Sequence, residues 1–280
     1  YKRQVRKAAG KPDFLPLGTR FLELAKERKD TTYISDAYAA IAGHYYDLGD
    51  TDSLRLVTYE YMDWAERCHR DTDRYQAWRQ YIQRMTEKGM QEEAMRETEL
   101  LCKDAEQRKD KYGMASGEMC IGYNHRVFGQ NIKLCLEYYD SALKHFEEGK
   151  YYRDAYVVSL NIIQTYLARQ AYSDVLPYLD RLVLLRKTAE DKKVAIGEAL
   201  YMRYYQFRVI ATLGLKGEKA AEPYIREANV YYLQHKDAVS REGWIGYNIM
   251  CNQTLGNIRG AVAYICLLYT SPSPRDLSTS

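Results

Sequence analysis

Six turn-like residues, Gly49, Gly89, Gly129, Gln170, Gly217 and Gly256, follow one another at spacings of 40, 40, 41, 47 and 39. A period of this length leaves few folds open, because each unit must be a supersecondary piece whose apolar face is covered by the next copy. Within a unit the apolar positions return after three and four residues: Tyr38, Ile41, Ala42 and Tyr45 before the first turn, Leu54, Leu56, Val57 and Tyr61 after it. That is helical rather than strand periodicity, so each unit reads as a helix pair. The fold class expected is all-α, a solenoid of about six antiparallel helix pairs. Asp50 and Asp52 stand where an N-cap would accept the free amides of a second helix, and Thr72 or Asp73 and Ser173 are placed similarly. Glu92 with Arg96 and Asp140 with Lys144 are spaced as i,i+4 ion pairs on wet helix faces.

The same positions carry a family resemblance. Trp78 stands eleven residues before Gly89, Tyr45 four before Gly49 and Tyr166 four before Gln170, while Ala94, Val175 and Ala261 each stand five after their turn residue. The stretch Leu136-Glu-Tyr-Tyr-Asp-Ser-Ala-Leu143 is the closest local match, echoed by Tyr178 to Leu182 and Tyr224 to Ala228. The pattern resembles the tetratricopeptide repeat (TPR), in a long-period, divergent form. The period exceeds the usual ~34 residues, Leu54 is bulky where Ala is usual, and the terminal Pro is missing. HEAT-type pairs, with a period of ~40 to 47, are the alternative. The resemblance implies a right-handed superhelix over about residues 14–265, and makes Tyr38, Tyr45, Trp78, Ala94, Tyr166, Val175 and Ala261 the repeat core. It also implies a context, the sensory or regulatory part of a larger bacterial signalling or transcription-regulatory protein.

The 28 tyrosines follow from stacking, since a ring fills the space between helices and its hydroxyl reaches water at a rim. Doublets at 45/46, 138/139, 151/152, 204/205 and 231/232 send one ring towards the neighbouring helix and the other about 100° away.

Both ends read as foreign. Residues 266–276 resemble a translated sequencing-library adapter, and a coding string for Tyr1 to Gln4 has a reverse complement that recurs at the other end if Ile265 is encoded ATC. Residues 1–4 and 266–280 are therefore expected to be artefact and 5–265 a fragment of a TPR-like domain, which leaves localisation open. The apolar run at 261–269 is far shorter than the ~18 residues a membrane span needs.

Chemistry-bearing motifs are sparse. Gly10-Lys11 and Gly149-Lys150 lack the Ser/Thr of a phosphate loop. The cysteines form no C-x-x-C pair and read as small buried hydrophobes; the five scattered histidines read as surface or groove residues. No catalytic residue, metal or cofactor is expected. A net charge of +3 over 280 residues gives no field for nucleic acid, although an RNA-binding helical repeat remains the rival class. The expected partner is a protein or peptide, with the oligomeric state open. The first helix of each pair should present its polar side chains to that partner, which nominates Arg79, Gln83, Asn124, Gln164, Arg203 and Gln206.

Overall fold

The computed structural model describes residues 14–129 and 131–263, which form two compact units, the second beginning at Asn131. The suspected foreign ends, 1–4 and 266–280, lie outside the described residues.

The first unit contains α1 (Phe14–Glu27), α2 (Thr31–Leu48), α3 (Thr51–Arg67), α4 (Asp71–Glu87), α5 (Gln91–Arg108) and α6 (Lys111–Val127). Each helix packs against the next, and α2, α4 and α6 also stack directly on one another. The second unit contains α7 (Ile132–Glu148), α8 (Tyr152–Leu167), a short 3-10 segment (Tyr172–Val175), α9 (Leu176–Asp191), α10 (Glu198–Lys216), α11 (Glu218–Gln234) and α12 (Arg241–Thr254). There α8 stacks on α10 and α10 on α12. With no strand among the described residues, the chain is an all-α helical repeat solenoid.

The turns explain the period. All six residues marked from the sequence take left-handed backbone, with φ between 58° and 77°. A second set, Lys29, His69, Lys109, Lys150 and Lys193, does the same at the return turns with φ of 53° to 61°, at spacings of 40, 40, 41 and 43. Most of these turns close the preceding helix in one way: the amide of Asp110 donates to the Ala105 carbonyl (2.9 Å) while that of Lys109 donates to Glu106 (3.1 Å), the paired bonds of a Schellman stop; at Gly217 the amide instead donates to the Leu213 carbonyl (3.0 Å) and ψ is −177°. The return turns escape a sequence reading because lysine and histidine do not advertise a positive φ.

Asp50 caps α3 as expected, its carboxylate accepting from the Ser53 amide at 3.0 Å. Asp30, Asp110, Asn131 and Ser240 cap α2, α6, α7 and α12 in the same manner. Thr72 and Asp73 lie inside the first turn of α4, whose cap position is Arg70, and Ser173 lies in the 3-10 segment ahead of α9. Of the expected surface pairs, Arg96 turns to Glu93 and Glu97 rather than Glu92. Lys144 reaches Glu148, while Asp140 accepts from the Tyr178 hydroxyl at 2.9 Å.

The core is aromatic, with Tyr38, Tyr75, Tyr81, Tyr139 and Tyr156 among the largest fully buried side chains. Their hydroxyls do not simply reach water. Tyr38 donates to Glu60, Tyr75 to Asp104 and Tyr81 to Glu93, at 2.7 to 3.1 Å and each from one helix of a pair to the other. A tyrosine of one helix thus carries its ring into the core and ties its tip to a carboxylate of another. Two expectations change: Cys68 is exposed rather than buried, and His44 is buried, with its ring 4.9 Å from that of Phe14.

Candidate functional site

The stack α2, α4, α6 brings three first helices of successive pairs side by side, and a polar row crosses it. Glu87, at the end of α4, holds the row together. Its carboxylate accepts from the hydroxyl of Tyr46 on α2 (3.0 Å), the hydroxyl of Tyr123 on α6 (3.1 Å) and the amide of Gln83 one turn back (2.8 Å). Burial, and then the hydrogen bond to Glu87, lifts Tyr46 above the ordinary phenol range; burial and the Glu87 charge push Tyr123 up to about 12.

Two guanidinium groups flank the row. Arg84 lies 5.6 Å from the centre of the Tyr46 ring, which Lys88 also covers at 4.8 Å; Arg126 lies 4.8 Å from the centre of the Tyr123 ring. Both arginines are half-buried. Neither guanidinium has a hydrogen-bond acceptor or ion-pair partner among the described residues, and Nε of Arg126 is sealed from solvent without one. Burial holds Arg84 below the usual arginine range, against the opposing pull of Asp47 and Glu87. Elsewhere in this unit the buried charges are satisfied: Arg74 meets Asp104 through two bonds of 2.6 and 2.9 Å, and buried Glu97 accepts from Trp78 Nε1 (2.8 Å) and Tyr59.

Of the six residues nominated from the sequence, Gln83 is exposed and sits in this row. Arg79 is buried, with its guanidinium against Tyr112 and the Met119 sulfur. Asn124 is buried in a relay in which the Thr86 hydroxyl donates to its carbonyl (2.7 Å) and its amide donates to Thr98 (3.0 Å). Gln206 is buried, its amide 3.5 Å from the Gly243 carbonyl. Gln164 on α8 and Arg203 on α10 are half-buried in the second unit, Arg203 over the Phe207 ring at 5.0 Å. Three of the six thus pack between stacked helices. Sequence reasoning missed Tyr46, Arg84, Glu87, Tyr123 and Arg126 as members of the row. The 40-residue period could have found part of it, since one step forward from Gln83 is Tyr123 and one step back is Gly43. The nominated core residues Tyr38, Trp78, Ala94, Val175 and Ala261 are buried, and Tyr45 and Tyr166 are half-buried.

The second unit has shallow clefts of about 610 Å³ beside Asp140, Tyr166 and Tyr178 and about 370 Å³ beside Tyr204, Arg208 and Tyr224. In each, the arginine is already partnered: Arg181 with Glu147, and Arg208 with Glu227 at 3.1 Å. Among the described residues no three His, Cys, Asp or Glu side chains gather to hold a metal, and no helix is long and apolar enough to cross a membrane.

No protein-family model matches the sequence, and no curated protein matches it. Among solved structures the chain is similar to a Rap protein complexed with competence and sporulation factor, with 16% sequence identity and a TM-score of 0.59 over 95% of this chain and 82% of that one. At that identity the likeness concerns the fold, and it agrees with a helical repeat.

Proposed function

We propose that the chain is a non-catalytic interaction scaffold for a protein or an extended peptide, received on the face where α2, α4 and α6 stack. The observation that carries this reading is the row of Tyr46, Gln83, Glu87 and Tyr123 with Arg84 and Arg126 beside it. The tyrosine rings offer flat apolar area at low entropic cost, the Gln83 amide can serve a peptide backbone, and two guanidiniums lack acceptors of their own. The fold is one in which a solved neighbour was captured in a complex, which supports a binding role. A sensory or regulatory position within a larger bacterial signalling or transcription-regulatory protein is the proposed context.

The test is a photo-crosslinking amino acid placed at Gln83 and, as control, at Lys103, which is exposed on α5. In extracts of the source cells the Gln83 probe is expected to capture a protein that the Lys103 probe does not. Equal capture at both positions, or capture of nucleic acid in place of protein, would overturn the reading.

A further inference from the structure

The geometry points to an anion site at Arg84, bounded by Tyr46 and Gly43, that takes a carboxylate of the partner segment. This deepens the proposed function and rests on it.

Arg84 is a cation with no carboxylate at contact distance. Guanidiniums withdrawn from water normally close onto carboxylates, as buried Arg74 does on Asp104 in the same unit. Arg84 has only the Tyr46 ring beneath it. Glu87, on the same helix, acts on it through its charge while its oxygens receive Tyr46, Tyr123 and Gln83. The charge of Asp47 also acts on Arg84.

Gly43 adds an independent observation. It lies inside α2, where glycine is unfavourable relative to alanine, and a Cβ built there would meet nothing nearer than an Arg84 guanidinium nitrogen at 3.8 Å. Packing does not demand this glycine, in contrast to Gly113, where a Cβ would stand 2.6 Å from the Tyr75 ring. What the missing side chain preserves is open space beside the guanidinium. An unpaired cation, an aromatic floor and a gap at its edge make a seat for a planar anion, and a carboxylate matches the guanidinium fork through two parallel bonds.

The probes are hexaglutamate, hexaglutamine and inorganic phosphate, titrated at constant ionic strength against chain labelled with nitrogen-15 in arginine. Hexaglutamate is expected to shift the Arg84 Nε–Hε resonance saturably, while the exposed Arg55 moves no more than it does with chloride. Arg84→Gln should weaken hexaglutamate about tenfold, the loss expected for one charge-assisted contact. Arg84→Lys should restore part of it, and Gly43→Leu, which fills the gap and leaves the charge, should also weaken it. Equal responses at Arg84 and Arg55, or equal binding of hexaglutamine, would overturn the site. Tighter binding of phosphate than of hexaglutamate would overturn the carboxylate assignment. If the Gln83 crosslink survives in Arg84→Gln while hexaglutamate gives no response, the anion site fails and the scaffold reading stands. If hexaglutamate binds but no protein is captured, the scaffold reading fails alone.

Discussion

Trp78 shows how one side chain can serve packing and polarity together. Its ring is buried between helices and its Nε1 satisfies Glu97, itself only 1% exposed. Trp78→Ala should cost ~3 to 5 kcal/mol through the cavity alone, and more because a buried carboxylate loses a donor; urea unfolding followed by circular dichroism measures it. Asp104 sets a pH dependence. Burial would raise its carboxyl, but the hydrogen bonds from Arg74 and Tyr75 and the charges of Arg74 and Arg108 outweigh that and bring it down to about 2. A depressed folded-state value means the stability it contributes is fully present above the unfolded value of ~4, and is lost as the pH falls from there towards 2. That part amounts to about 2 kcal/mol. Asp104→Asn should therefore lower stability at neutral pH and flatten its decline between those limits, as read from denaturant midpoints at several pH values. Gly43→Ala, by contrast, should stabilise α2 by ~0.5 to 1 kcal/mol, because its site is open and helical. Trp78 and the repeat tyrosines were legible from spacing alone. The partners Glu97, Asp104 and Glu87 were not, because a charged residue on a helix looks solvated until the neighbouring helix is known.

At the scale of elements, the turns carry information in two grades. Glycines at 49, 89, 129, 217 and 256 announce a left-handed backbone, and the helix pairs follow from them. The return turns reach the same conformation with lysine or histidine, at a steric cost that glycine avoids. Lys109→Gly should therefore raise stability by roughly 0.5 to 1 kcal/mol, an increase a thermal melt resolves, whereas Gly89→Ala should lower it. The capping aspartates divide along similar lines. Asp50 follows directly on its turn glycine and was legible, while Asp30 and Asp110 follow lysines and became recognisable as caps only with the helix boundaries in view.

Across the whole chain, a repeat protein spreads its stability over nearest neighbours, so damage should remain near its origin. Trp78→Ala is expected to speed hydrogen exchange in α4 and in the helices that α4 touches, α2, α3, α5 and α6, and to leave α10 to α12 at the parent rate. Uniform acceleration would mean that the chain unfolds as one cooperative block. The period of the turns and the three-and-four apolar spacing were sufficient for the helices and much of their core, since those depend on local backbone preference and on which face of a helix avoids water. The proposed binding face was decided by packing between helices distant in sequence. The stacking of α2, α4 and α6 put Arg79 and Asn124 in the interior and left Arg84 and Arg126 beside tyrosines without acceptors, because a polar side chain is used up or left free only by what the neighbouring helix sets against it.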